Sequence, residues 1–331
     1  MATQLTTHPA ARAVDRYRPL SVALTALAAA MATASLVGPL GLDLMRYRTS
    51  PTTLNQLLGS DAAALFVMTP LALAAAVLAY RRHPVAPPLA TGVAGYALYT
   101  YAQVIIGQEY LRLPGTVERF FPLLLAVFLL AEAVLMLAWR ALPPSLPAPS
   151  TRLRRATGTT LLVAAGFLTF GLHLPSILTA WTDPTALTEY ASSPTPFWMV
   201  KLMDLGIVVP AAVAVGVGVL RRAGWAQRMA YPLLIWLTCL AVSVTSMAVV
   251  MLADGDPDAS PVLAIGFGVV TVALAGLTVA ACRSLSVRRV PVSSALCYCA
   301  PDIPRELLTP HALAGPARTN DLPVTRPVVR L

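Results

Sequence analysis

Charge is scarce in this 331-residue sequence: Asp, Glu, Lys and Arg make up 12% of it, against 57% hydrophobic residues and a mean hydropathy of +0.69. Soluble domains carry about 25% charged residues, so the two water-soluble domains that its length would suggest are excluded. Lysine is scarcer still, because Lys201 stands alone beside 23 arginines. Cysteine contributes four residues: Cys239 and Cys282 in or beside apolar runs, and Cys297 and Cys299 as a lone C-x-C. With no second ligand pair that spacing is a weak metal motif, and free thiols are expected. The chain has no P-loop, no HExxH and no GxSxG. Of four histidines only His173 falls inside an apolar run, which excludes bis-histidine haem ligation. No cofactor is expected. No polar segment is long enough for a catalytic domain, so any activity has to sit among the helices.

What is abundant decides the class. Eight apolar runs, about Leu20–Leu42, Ala62–Tyr80, Leu89–Gln108, Phe120–Trp139, Thr157–Thr179, Phe197–Leu220, Met229–Leu252 and Pro261–Ala281, approach or exceed the roughly 20 residues that cross a bilayer. The fold class is all-α, a polytopic helical membrane protein of eight transmembrane helices, with the lipid bilayer as its partner. The net charge of +9 is distributed as an orientation signal. Nineteen arginines lie in alternate segments: before the first run, at Arg81 and Arg82, from Arg140 to Arg155, from Arg221 to Arg228, and from Arg283 onward. The intervening loops hold four (Arg46, Arg48, Arg112, Arg119). Basic loops stay cytoplasmic, so both termini are expected on the cytoplasmic side of the membrane, and no nucleic acid is implied. The first run ends in small residues that imitate a signal-cleavage site at Ala32–Ala34. It continues to Leu42, too long for a cleaved signal core, and is expected to stay as a span.

Prolines suggest a duplication. Pro70 and Pro210 are each followed by ten apolar or small residues and an arginine pair. Pro39 with Pro175, Pro88 with Pro232 and Pro122 with Pro261 match more loosely. Two pseudo-symmetric four-helix halves are expected. The chain then divides into an N-terminal segment 1–19, a first half 20–142, a linker 143–156, a second half 157–282 and a basic, proline-rich cytoplasmic tail 283–331, expected to be disordered. Small residues at four-residue spacing (Ala30 and Ala34, Ala212 and Gly216, Ala264 and Gly268) suit close helix approach.

Polar residues inside the spans are the candidate site. A charge there costs about 2.5–3.5 kcal/mol on insertion scales and is usually paired or functional. Lys201 and Asp204 stand three apart, on one helix face. Lys201 is nine residues before Pro210 and Asp61 nine before Pro70, so pseudo-symmetry predicts a structural pair, Asp61 with Lys201. His173 precedes Pro175 at a depth like that of Asp204. Glu132 has only apolar helix neighbours, Phe128, Leu129, Leu135 and Met136, and reads either as a protonated, hydrogen-bonded carboxyl or as a proton-relay or cation site. In the third run Gly92, Tyr96, Tyr99, Gln103, Gly107 and Tyr110 form a stripe, either a cavity wall or a packing seam. A metal on His173, Asp204, Asp61 or Glu109 is imposed by no spacing.

Three motifs carry a resemblance: the arginine pair Arg81 and Arg82, the YxxYTYA that begins at Tyr96, and the DLGIVVP that begins at Asp204. Together they resemble an uncharacterised family of multi-pass membrane proteins from GC-rich bacteria. The resemblance implies the eight-span body and no activity. The leading functional reading is a small-molecule transporter or ligand-binding membrane protein. Its outward-facing polar cavity would be lined by Tyr96, Tyr99, Gln103, Glu132, His173, Lys201 and Asp204. The alternatives are a structural or interaction protein whose buried polar pairs fix helix register, and a membrane-embedded enzyme with His173 or Glu132 as acid or base.

Overall fold

The structure is a computed structural model that describes residues 9–144, 146 and 149–287, with side chains from Arg16 to Leu285. Cys297, Cys299 and all but the first residues of the expected tail lie outside the described residues. Among the described residues eight helices are long and apolar enough to cross a membrane: Arg16–Val37, Pro51–Tyr80, Ala86–Ile106, Val117–Ala141, Thr151–Thr182, Pro194–Leu220, Gly224–Ala253 and Pro261–Leu285. They are called spans one to eight. Among the described residues there is no strand, and the fold is that of an all-α polytopic membrane protein.

Several spans start farther out than their apolar runs. Span two begins at Pro51, where Ser50 caps the helix by accepting from Thr53 N and proline takes the first position. Its first turns are polar, yet Thr52, Thr53, Asn55, Ser60 and Asp61 are buried. Span seven covers them, packing along Pro51–Ala63. At Gly59 a β-carbon would overlap the backbone of Met247, so glycine is what allows this approach. Hydropathy registers affinity for lipid, and a helix end that another helix covers escapes it.

Span one lies against spans two and four, and span four against span three. Span five lies against span six, and spans six and eight against span seven. Spans seven and three touch each other, and the outer part of span six touches span three. Outside this packing, large apolar side chains face outward, among them Phe66, Phe170, Leu202, Ile265 and Val272. Of the small-residue pairs, Gly216 meets span five at Gly158, whereas Gly268 meets nothing.

Three spans widen into a π-helical turn, at Ala64–Met68, Phe167–His173 and Asp204–Val208. In each, a proline stands two residues beyond the turn: Pro70, Pro175 and Pro210. Proline offers no N–H and its ring crowds the carbonyl four residues back, so the preceding turn relaxes to longer hydrogen bonds. Pro39 falls after the end of span one and Pro232 inside span seven, so the pairs Pro39 with Pro175 and Pro88 with Pro232 do not share a local geometry, whereas Pro122 and Pro261 both stand at the start of an α-helix.

Spans two and six do. Both have the π turn at the same distance before the proline, and Met68, Ala72 and Ala75 are buried where Val208, Ala212 and Val215 are. Both end in the same cap. His83 N bonds to Leu78 O and Arg82 N to Ala79 O, while Ala223 N bonds to Gly218 O and Arg222 N to Val219 O. Arg82 and Arg222 occupy the left-handed region, at φ 54° and 61°, the place glycine usually takes in this cap.

Candidate functional site

The side chains singled out from spans three, five and six meet near the arginine-poor end. The π turn of span six opens on Asp204, and that of span five closes on His173. His173 Nε2 lies 2.7 Å from Asp204 Oδ2. The Tyr99 hydroxyl of span three donates to Asp204 Oδ1. Both carboxylate oxygens are therefore engaged, one by each neighbouring span. Tyr99 also sets its ring edge toward Trp236 of span seven, 6.1 Å between centroids. The Trp236 indole N–H is buried and has no hydrogen-bond partner in the described structure.

Lys201, one turn earlier, is buried in a different way. Its ammonium sits 3.1 Å from the centroid of the Phe197 ring. It makes no hydrogen bond or ion pair with any described residue. A cation over an aromatic face gains about 2 kcal/mol when desolvated, less than a full ion-pair partner supplies. Tyr190 and Trp198 pack around the same Phe197 ring. Glu189, in the loop before span six, is half-buried nearby. Burial raises its carboxyl above the ordinary range and Asp258 adds to this, while Lys201 and His173 pull it down. Lys201, Asp204 and His173 are 7%, 9% and 3% exposed. They form an enclosed group.

Two expectations are corrected. Asp61 and Lys201 form no ion pair: Asp61 Oδ2 accepts from the Tyr47 hydroxyl at 2.8 Å, and Lys201 lies on Phe197. Spans two and six are not among the closely packed pairs, because spans three and seven take the contacts between them. Glu132 does not join the group either. It is exposed on span four, which packs on spans one and three, and it has no hydrogen bond or ion pair among the described residues. Tyr96 is fully buried with its hydroxyl 3.5 Å from Ser243 of span seven, and Gly92 abuts Ile235. That end of the stripe is a packing seam, while Tyr99 at its middle belongs to the polar group. Gln103 is partly buried one turn beyond Tyr99.

The loops add ties that the sequence did not reveal. Glu109 Oε1 accepts from Thr195 N at 2.8 Å, capping span six from the loop after span three. Ser193 Oγ accepts from Ser50 N at 3.1 Å. Asp256 is buried and accepts from Asn55 Nδ2 at 2.9 Å, fastening the last outer loop to span two. Asp256 is the middle one of three acids, with Asp254 and Asp258, and nothing in their spacing marks it as buried.

Compared with family models, curated proteins and solved structures, the chain finds no match. The resemblance to a family of bacterial membrane proteins therefore rests on its three short motifs, and no function is drawn from it.

Proposed function

We propose that this multi-pass membrane protein is a small-molecule transporter or ligand-binding protein whose ligand site is the group formed by Lys201, Asp204, His173 and Tyr99. The arginine distribution assigns the arginine-poor end to the outer side of a bacterial cytoplasmic membrane, with both termini in the cytoplasm. The observation that carries the proposal is the Lys201 ammonium, 7% exposed and without a counter-charge in bonding distance. A buried charge with no bonded partner costs several kcal/mol, and a ligand bearing a carboxylate or similar acid would offset that cost beyond the longer-range attraction of Glu189 and Asp204. The Phe197, Tyr190 and Trp198 rings would pack the ligand's apolar part. The π turns of spans five and six place both polar groups beside weakened helix segments, where closure and opening require least rearrangement. On this reading the chain is built from two related four-helix halves, and the likeness of spans two and six supports that organisation.

A second reading is supported by Asp204, whose two oxygens are already engaged by protein donors. Here the group only fixes the register of spans three, five and six. The same His173 and Asp204 contact is a pair that general-base catalysis uses, but among the described residues no serine or cysteine is hydrogen-bonded to the His173 ring, and Ser176 Oγ donates only to its backbone carbonyl. A thermal-shift screen in detergent separates the readings, with organic acids, amino acids, metal ions and lipids tested on wild type, Lys201→Met and Asp204→Asn. The transporter reading expects an acid that stabilises wild type and neither variant, with ligand-free Lys201→Met melting no lower than wild type. If no compound acts and both variants melt well below wild type, the group is a structural clasp.

A further inference from the structure

Asp61 is the buried acid that neither the ligand group nor the loop ties explain. It is 7% exposed and stands three residues before the π turn of span two. Its carboxyl has one hydrogen-bond partner among the described residues, the Tyr47 hydroxyl at 2.8 Å, and no Lys, Arg or His within ion-pair distance. Gly38, just beyond span one, lies against the same oxygen: a β-carbon there would lie 3.3 Å from Asp61 Oδ2.

Among the described residues no other charge faces it. The titratable groups that face Asp61 are Tyr47, from the loop after span one, and Tyr101 of span three. Burial pushes the Tyr47 hydroxyl well above tyrosine's ordinary range, so it remains a neutral donor. In the same loop Asp43 pairs with Arg46, and Arg48 with Glu118 of span four. The charged residues of spans one and seven, Arg16, Arg18 and Arg228, lie at the opposite, arginine-rich end.

An ionised carboxylate removed from water is stable when a cation or two to three donors compensate it. One tyrosine hydroxyl does not suffice. A metal ion of the Ca²⁺ or Mg²⁺ kind asks for about six oxygen ligands, and a carboxyl and one hydroxyl fall well short. A proton asks only for a carboxylate oxygen. We infer that Asp61 is a proton-binding site: its buried carboxyl carries a proton, which it exchanges with water at the arginine-poor end. The equivalent position of span six holds Lys201. One span thus carries a proton where the other carries a positive charge for a ligand, an arrangement suited to proton-coupled transport. That coupling rests on the function proposed above; the proton site does not.

Infrared difference spectroscopy of the purified full chain, recorded across pH in lipid, tests the site without ligand or transport. Expected is a protonated-carboxyl C=O band at neutral pH in wild type that Asp61→Asn loses. Tyr47→Phe should keep the band and shift the pH at which it disappears. Because Tyr47→Phe leaves the carboxyl in place, it serves if Asp61→Asn folds poorly. The inference is overturned if wild type and Asp61→Asn have the same C=O region at every pH, or if Tyr47→Phe leaves the titration of the band unmoved. Failure of the ligand screen with success here would remove the transporter reading and leave the proton site standing.

Discussion

In span two the residue three before the π turn is Asp61, and the turn opens on Ala64; in span six those positions hold Lys201 and Asp204. Proline, π turn, buried face and left-handed arginine cap coincide in the two helices. What differs is the company each keeps. Span six has a histidine from span five and a tyrosine from span three against its carboxylate. Span two has a single tyrosine from a loop. Backbone geometry therefore follows from local sequence in both, whereas the chemistry at a matched position follows from whichever helix lies opposite.

The strongest way to break the comparison is to delete the acid that gathers three spans. Asp204→Ala should orphan buried His173 and Tyr99 and lower stability by about 2–4 kcal/mol, read as a drop in Tm in detergent. Next, Gly59→Ala should cost about 1–3 kcal/mol by overpacking, because its β-carbon meets backbone of Met247 rather than a movable side chain. Substitution at Gly268, which faces open space, should be silent by the same measurement. Tyr47→Phe should cost about 1 kcal/mol for one lost hydrogen bond, less than Asp204→Ala if span two is held by packing rather than by a polar group. Arg82→Gly or Arg222→Gly should relieve left-handed strain and raise stability by up to about 1 kcal/mol. An equal gain at both would confirm that the two caps are equivalent.

The smallest effect concerns pH. Burial raises the Glu189 carboxyl above its ordinary range, so the folded chain holds that proton more tightly than the unfolded one. Its contribution is fully present below the unfolded pKa, about 4.3, and is lost as pH rises through the folded value. Glu189→Gln should flatten this part of the pH–Tm curve and leave the more acidic region unchanged. A curve unaltered by the substitution would place the pH dependence elsewhere.

Much of the site was legible in part. Lys201, Asp204, His173 and Tyr99 stood out because polar groups inside apolar runs are costly, and all four lie close together in space or along one helix. Glu132 stood out for the same reason and lies on the outer surface. Cost marks a residue as unusual without saying which helix will answer it. Asp256, Ser193 and Asn55 went unnoticed because loops and helix ends are polar anyway. Their burial depends on a second segment that folds over them.

The sequence by itself determined the eight spans, because a continuous apolar run acts within a few residues of chain; a proline follows each of the three widened turns, yet Pro232 stands inside span seven without one. It also matched span two to span six. Tertiary structure alone decided that spans three and seven stand between them, and so that Asp61 meets Tyr47 and Lys201 meets Phe197. Helix neighbours in a bilayer are chosen by close steric fit, such as Gly59 against Met247. Fit of that kind belongs to two surfaces at once, and neither strand of sequence contains it separately.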